Sequence, residues 1–501
     1  MGSTASKEVA STSRNTTAPS VSNEKRPVSV SVNDISDRLA NYLTLDDMSI
    51  SAVNQNPIEF KTLEDWSQKL LEDPKNRLAL SAISNGDVSS IVRQRDASVI
   101  DKVHVFSDKV ELEGSPITNQ RSSGRCWLFA STNVFRVQVQ KKYNLDDFQL
   151  SQAYLFFYDK LEKSNYFLQN IIETVDEPLD SRLVQTLLGD PVSDGGQWDM
   201  VVNLVEKYGL VPQTLYPDAF NASNSSKLNY IVVEKLREFA LVLRKVSQDK
   251  STSKATLLAL KEKFVRTIHG ILVIALGKPP SPNDVLNWEF VDKAGKFKAI
   301  STSPLDFYKT IVGFKATDYF SLIHDPRNSY KEPFTVERLG NIVDGKKIEY
   351  VNAEIDILKK AAIKSIQNNE PVFFGSDVGK FSERTEGIMD TNAWDYSLAF
   401  NTDLGLTKKE RLETKSSAMT HAMVLTAVNI VDGKPTRWRV ENSWGEDVGK
   451  KGYFIMSDDW FNEYVYQVVT TAKYVDKQYV DIWKSKKYNV LPRWDPLGAL
   501  A

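Results

Sequence analysis

The chain has 501 residues, a net charge of −2, 41% hydrophobic residues and 26% charged residues. This composition is ordinary for a globular protein, and the small net charge excludes binding of nucleic acid or anionic lipid through an overall positive field. The length suggests roughly two to four domain-sized units of about 150 residues. No apolar run approaches the roughly 18 residues that a membrane-spanning helix needs, so we expect no membrane span.

The segment 1–50 is predicted to be a mostly disordered tail. Its first 22 residues contain ten Ser or Thr and no aromatic residue, and such a segment buries too little apolar surface to offset the entropy lost on ordering. The opening "MGSTAS" fits the N-myristoylation pattern with Gly2 as acceptor, although a flexible Ser-rich start is the favoured interpretation. The tail is not Arg-rich, so we expect a cytoplasmic protein, with a mitochondrial form as the alternative.

Helical patterns dominate the next part of the chain. Apolar residues recur at helical spacing in 62–74 and 146–169, and 192–212 reads as a turn and a helix that Gly-Leu-Val-Pro ends. Long helical patterns continue from 227 to 275. After about residue 346 the pattern changes to short β-rich runs, "EPVFFGSDV", "HAMVLTAVNIV", "TRWRVENSW" and "GYFIMS". A helix-rich half followed by a strand-rich half predicts an α+β fold with two lobes.

Cys126 is the only cysteine of the chain, which excludes an internal disulfide and fits a reducing compartment. The loop residues before it and the apolar spacing after it place Cys126 in the first turn of a helix. There the free N–H groups and the helix dipole favour a thiolate, the reactive form of cysteine. The alternative is a buried, inert cysteine, but a position after Arg125 at a loop–helix junction favours a reactive one.

A nucleophilic thiol needs a base and a group that orients the base. The histidines are His104, His269, His324 and His421. His421 opens an apolar strand, and Asn442 ends the next strand 21 residues later. If these strands are neighbours, Asn442 reaches His421 and fixes its tautomer, and Trp444 covers that hydrogen bond. The other three histidines lack such a setting and are interpreted as surface or core residues.

Acyl transfer also needs hydrogen-bond donors for the developing oxyanion. Gln120 lies six residues before Cys126, across a Ser-Ser-Gly loop. Its side-chain amide and the backbone N–H of Cys126 could form this pair. Taken alone, Gln120 is an ordinary polar loop residue.

These motifs together resemble the papain-like cysteine peptidases. Within that group "NQRSSGRCWLFA", "RVENSWGED" and the ending "WDPLGALA" are similar to the bleomycin hydrolase family, over about residues 55–501. The usual papain pattern has a further cysteine three residues before the nucleophile; here Ser123 stands there, which fits the intracellular branch. His421 lies 295 residues beyond Cys126, against roughly 130–150 in papain, and about 225–345 looks like the insertion responsible.

The resemblance implies a papain-like two-lobed fold with a helical insertion and a C-terminal arm. The implied segments are a tail (1–50), an N-terminal segment with the helical lobe that carries the nucleophile (51–225), the helical insertion (226–345), a β-rich lobe that carries His and Asn (346–480) and the arm (481–501).

The resemblance also implies roles for particular residues. Cys126 is the nucleophile, His421 the general base and acid, Asn442 the orienting residue and Gln120 the oxyanion donor. The stretch "DGGQWDM" is similar to the papain loop that binds the substrate backbone, which would use Gly195 and Gly196. A plain helix-entry turn is an equally good interpretation of those two glycines.

The end of the chain, 491–501, is predicted to be extended. Pro492 and Pro496 disfavour a helix, and the last residues are small enough for a narrow groove. A frayed terminus is the default, but Trp494 offers an anchor, and bleomycin hydrolases have a C-terminal arm in the cleft. A carboxylate at Ala501 would then block longer peptides and pair with the substrate's α-ammonium group.

The implied function is that of a cysteine aminopeptidase. It would remove N-terminal residues from peptides and hydrolyse bleomycin amide and homocysteine thiolactone-like substrates, and it would assemble as a homohexamer. No cofactor or metal is expected, because no cluster has ligand spacing and HExxH is absent.

The alternative function is nucleic-acid binding by the basic helices of 227–267, which contain ten Lys or Arg against four Asp or Glu. A solvated helix face is the favoured interpretation of these charges, because aromatic residues are not interleaved with them.

Overall fold

The computed structural model describes residues 57–100, 102–249 and 251–500. The described residues from Trp66 onward belong to one compact unit, which contains every residue of the site discussed below. In the other unit, residues 57–65 are described and include the start of the first helix. The tail predicted for 1–50, Gly2 and Ala501 lie outside the described residues.

Helices concentrate in the first half of the chain. The described α-helices are α1 Phe60–Glu72, α2 Pro74–Ile83, α3 Val88–Ile91, α4 Arg95–Ile100, α5 Cys126–Tyr143, α6 Gln152–Glu173, α7 Arg182–Gly189, α8 Trp198–Tyr208, α9 Phe220–Ser223, α10 Ser226–Gln248, α11 Lys254–Leu276, α12 Pro304–Asp306, α13 Ile355–Gln367, α14 Tyr396–Phe400, α15 Lys408–Glu413, α16 Asp458–Tyr464 and α17 Lys477–Ser485. A π-helix spans Phe307–Val312.

Strands concentrate in the second half. The described strands are β1 Asp108–Lys109, β2 Leu286–Val291, β3 Phe297–Thr302, β4 Tyr319–Ile323, β5 Glu332–Val336, β6 Tyr350–Asn352, β7 Val372–Ser376, β8 Ser382–Glu383, β9 Ile388–Met389, β10 His421–Val431, β11 Lys434–Glu441, β12 Tyr453–Ser457, β13 Val465–Thr471 and β14 Asn489–Leu491. The predicted α+β fold is confirmed.

Twelve of the described strands join one mixed sheet, in the order β14-β5-β6-β4-β13-β7-β10-β11-β12-β9-β8, with β1 paired to β10. Strands β2 and β3 form a separate hairpin. In the large sheet β10 lies between β7 and β11 and is antiparallel to both. The strand that starts with His421 is therefore an interior strand.

Both faces of strand β10 are covered. Ala422 and Val424 belong to the core shared with helices α5, α6 and α8, whereas Met423 and Leu425 belong to a second core under helix α13. A strand that is buried on both faces reads as a continuous apolar run, which explains why "HAMVLTAV" shows no alternation.

Helix α5 is buried on nearly all sides, and its polar residues find partners inside the protein. Asn133 donates to the Thr118 hydroxyl, and Gln140 donates to the Ser115 carbonyl. A helix in this position runs through the core of its lobe. The packing of the helix therefore fixes the position of its first residue, Cys126.

Two segments differ from the sequence expectation. The helix expected over 146–169 begins only at Gln152, because the Ser151 side chain caps it by accepting the Tyr154 N–H, and residues 146–150 are not helical. In the stretch 226–345 the long helices extend only as far as Leu276, and the later helical segments, such as α12 and the π-helix, are short. Prolines at 279, 280 and 282 follow Leu276, and the hairpin β2–β3 and strands β4 and β5 complete the stretch.

Candidate active site

Cys126 is the first residue of helix α5 and is 2% exposed. Arg125 is the N-cap residue, but its guanidinium does not serve the thiol as a free cation. It pairs with both carboxylate oxygens of Asp218, at 2.9 and 2.7 Å. The groups that favour a thiolate are instead backbone N–H groups, including that of Ala422 at the start of strand β10.

A cavity of about 400 Å³ brings the predicted site residues together. Its lining residues are Gln120, Gly124, Cys126, Asp190, Val192, Ser193, Asp194, Gly195, Asn229, Val233, Thr420, His421 and Leu500. Of the predicted set, Asn442 lies behind His421, and Gly196 is outside the lining. The other three histidines are also outside it.

His421 is held by a hydrogen bond from its Nε2 to Oδ1 of Asn442, at 2.9 Å. The same oxygen accepts the backbone N–H of Ser443 at 2.8 Å. Because Oδ1 accepts from both sides, Nε2 carries a proton, and in the neutral imidazole Nδ1 is the free base. The ring of Trp444 lies 4.9 Å from the His421 ring, tilted by 33°. The arrangement predicted from the two strands is therefore present.

Gln120 is held from both ends of its side chain. Its Nε2 donates to the Ser123 carbonyl at 2.7 Å, and its Oε1 accepts from the Ser443 hydroxyl at 2.7 Å. One amide proton remains for an oxyanion beside Cys126. Ser443 follows Asn442, so one short segment positions both the base and the oxyanion donor.

Burial opposes charge on both reacting groups. It raises the pKa of the Cys126 thiol to about 11, which outweighs the lowering by the backbone N–H groups expected at a helix start. It lowers the pKa of His421 to about 4, against the raising effect of Asn442. Proton transfer from thiol to imidazole forms both charges together, so each compensates the other.

We expect a bell-shaped pH profile for kcat/KM, because Cys126 and His421 together must carry one shared proton to be active. Activity falls at acid pH as His421 becomes protonated and ceases to be a base. It falls at alkaline pH as the thiol proton is lost and no general acid remains. With these pKa values the plateau spans neutral pH. Initial rates across the pH range check this, and a rate that rises with pH without an alkaline decline would contradict it.

The two glycines of the predicted loop have different settings. Gly195 lines the cavity. Gly196 packs so closely on Trp127 that a Cβ would lie 2.4 Å from the indole. The structure therefore brings Gly195, but not Gly196, to the lining of the cavity.

Two buried lysines hold this loop from helix α6. Lys160 pairs with Asp194 at 2.6 Å, and Lys163 donates to the carbonyl of Gly195 at 2.6 Å. The Asp194 carbonyl also accepts from the Trp127 indole at 2.7 Å. Sequence analysis missed both lysines, because they look like the solvent face of an amphipathic helix.

A buried ion pair connects the helix of Cys126 with the segments that carry Asn442 and Gln120. This pair was not predicted from the sequence. Arg136, on the helix that starts with Cys126, pairs with Glu441 at 2.7 Å, and both side chains are at most 1% exposed. Arg136 also donates to the Pro116 carbonyl at 2.5 Å. Glu441 precedes Asn442, and Pro116 begins the segment that leads to Gln120, so Arg136 positions both segments against the nucleophile helix.

The C-terminal segment reaches the cavity. Leu500 is part of the lining, and Gln197 donates to the Ala499 carbonyl at 2.7 Å. Further back, Asp495 pairs with Arg327 at 2.8 Å, and the ring of Trp494 lies under Arg182 at 4.4 Å. Trp494 thus contacts Arg182 of helix α7.

Comparison with known proteins identifies the family. The pattern of the Peptidase C1-like family matches residues 57–498. The chain belongs to this family. It is 43% identical to aminopeptidase C of Listeria monocytogenes over 89% of this chain and all of that one. It is 42% identical to bleomycin hydrolase of Gallus gallus over 90% of this chain and all of that one.

A solved relative shares the fold. PepW of Lactobacillus rhamnosis has a TM-score of 0.86 and 44% identity, and the match covers 89% of this chain and 99% of PepW. The chain is a cysteine peptidase with a papain-like fold, and the predicted resemblance is confirmed. Among the described residues, no helix combines the length and apolar character that crossing a membrane requires.

Proposed function

We propose that this peptidase is an aminopeptidase that removes residues one at a time from free amino termini, with Cys126, His421, Asn442 and Gln120 in the roles predicted above. The observation that carries the proposal is that Leu500, near the C-terminus, lines the same cavity as Cys126 and His421. A substrate chain that continued past the first residue on this side would collide with the protein's own chain.

The reaction follows from the positions of the side chains. His421 takes the thiol proton, and the Cys126 sulfur attacks the carbonyl carbon of the first peptide bond. The oxyanion accepts hydrogen bonds from Gln120 and the Cys126 N–H. His421 then protonates the leaving amine, and a thioester between Cys126 and the first residue remains. Water, deprotonated by His421, hydrolyses this thioester and restores the thiol.

Deleting Leu497–Ala501 tests the role of the arm. We expect the shortened protein to trim free amino termini less well and to cleave N-acetylated peptides internally, because the collision is removed. Peptide products read by mass over time report both changes. Thermal unfolding checks the fold, since Leu497 is buried and its carbonyl accepts from Tyr350.

A shorter deletion, of Leu500 and Ala501, serves as the matched variant, because it keeps the bond from Gln197 to Ala499 and the Leu497 contacts. It should open the cavity with little loss of stability. If both shortened proteins still release one residue at a time and ignore acetylated peptides, the arm has no gating role.

The particular substrates, the assembly and the location of the protein belong to the same proposal. Bleomycin amide and homocysteine thiolactone each present an acyl carbon near a free amine, which is the group that this site would recognise. The resemblance to bleomycin hydrolases supports these substrates, a homohexamer and a cytoplasmic location. A pairing of the Ala501 carboxylate with the α-ammonium group of the substrate would add selection by charge.

The alternative function loses support from the placement of the basic residues in 227–267. Five of the nine described Lys and Arg side chains pair with other groups of the chain, three of them in exposed ion pairs. These are Lys235, Arg237, Arg244, Lys261 and Arg266. These pairings reduce the positive charge that is available to a phosphate backbone.

A further inference from the structure

A guanidinium packs against Trp444, the tryptophan that covers the base. The Arg384 guanidinium is 4.8 Å from the centre of the Trp444 ring, and Trp444 is 4.9 Å from the His421 ring. Arg384 therefore lies within about 10 Å of the imidazole. It belongs to the tight hairpin between strands β8 and β9.

The donors of Arg384 are free for a ligand. Its side chain is exposed and forms no hydrogen bond or ion pair with the described part of the chain. The neighbouring carboxylates are engaged elsewhere. Glu383 accepts the backbone N–H groups of Thr385 and Glu386, and Glu386 pairs with Arg93 and Lys102.

The charges around His421 are asymmetric. The cavity that contains Leu500 has two carboxylates in its lining, Asp190 and Asp194, and no Lys or Arg among its described residues. Asp194 is neutralised by Lys160. Trp444 and Arg384 are not part of that lining, and the charge of Arg384 contributes to the low pKa of His421, after burial. Arg384 is therefore a positive charge close to His421 that lies outside the cavity containing Leu500.

We propose that Arg384 binds the carboxylate of short peptide substrates on the leaving-group side of the scissile bond, an inference that rests on the proposed aminopeptidase function. An extended residue spans roughly 3.3–3.6 Å, so the carboxylate one or two residues beyond the scissile bond comes within reach of Arg384. The guanidinium contacts the ring of Trp444, and its planar fork of donors matches a carboxylate. The site thus favours di- and tripeptides with a free C-terminus.

The test compares a dipeptide free acid with its C-terminal amide. In the wild-type protein we expect kcat/KM to favour the acid by roughly fivefold to tenfold, mainly through KM, because one charge-assisted contact is gained. The preference should decline as salt is added. In Arg384→Gln the acid-to-amide ratio should fall to about one, and Arg384→Lys should retain part of it through its charge.

The acid-to-amide ratio of kcat/KM within each variant is the quantity to compare. Absolute rates are less informative, because a change at Arg384 also alters its contact with Trp444. Lys434→Gln removes one positive charge at the far end of the β10–β11 hairpin and should leave the ratio unchanged. A ratio that survives in Arg384→Gln, or that falls equally in Lys434→Gln, overturns the assignment. A neutral aminoacyl arylamide has no C-terminal carboxylate, so its hydrolysis tests the aminopeptidase function independently of Arg384. No hydrolysis of this substrate would mean that the proposed function itself is wrong.

Discussion

We expect that replacing Cys126 with alanine abolishes peptide hydrolysis and leaves the fold intact. Because this is the only cysteine of the chain, no second thiol can take over. The loss of a nucleophile that acts together with its base lowers turnover by about four orders of magnitude or more. Cys126 is buried at the start of a long buried helix, and the smaller alanine fits there at a cost of about 1 kcal/mol.

Hydrolysis of an aminoacyl arylamide measures this effect, and circular dichroism with thermal unfolding checks the fold. Cys126→Ser is the matched variant, because it keeps the shape and hydrogen bonding of the side chain but replaces the thiol with a much weaker nucleophile. Readily measured turnover by purified Cys126→Ala would mean that the nucleophile is elsewhere.

We expect that replacing Gln120 with alanine lowers kcat by roughly 10²-fold, the usual effect of losing one oxyanion donor. The donor acts on a charge that develops only in the transition state, so KM should change little. Gln120 is bound by Ser123 and Ser443 and is buried, so its amide is held in place before substrate binds.

Ser443→Ala is the graded control for Gln120. It removes the hydrogen bond to Oε1 of Gln120 but keeps the amide donor. We expect a smaller loss of kcat than in Gln120→Ala. An unchanged kcat with a raised KM in Gln120→Ala would instead identify a residue that binds substrate in the ground state.

The parts of the site that the sequence predicts are those with a local signal. Cys126 stands at a loop–helix junction, and His421 and Asn442 stand at neighbouring strand ends 21 residues apart. Strand β10 was recognisable as a strand because its run of apolar residues is short and bounded by turns. Ser151 is a common helix-capping residue and is also a local signal. The apolar residues before it nevertheless fit the helical pattern, so the predicted helix begins several residues too early.

The parts that the sequence does not predict depend on contacts between distant residues. Arg136 and Glu441 are 305 positions apart, and no pattern near either residue indicates a partner. Lys160 and Lys163 look like solvent-facing residues of a helix until the loop of Asp194 packs on them. Arg125 directly precedes the thiol in the sequence, but its guanidinium pairs with Asp218. Such pairs become visible only when the tertiary fold is known.

The most direct test of the account is the intact mass of the protein after brief treatment with two fluoromethyl ketone reagents, one with a free aminoacyl group and one N-acetylated. We expect one adduct per chain from the free-amine reagent, located at Cys126, and little from the acetylated reagent. The protein that lacks Leu497–Ala501 should accept both reagents, and Cys126→Ala should accept neither. An adduct at another residue, or equal labelling of the full-length protein by both reagents, would contradict the account.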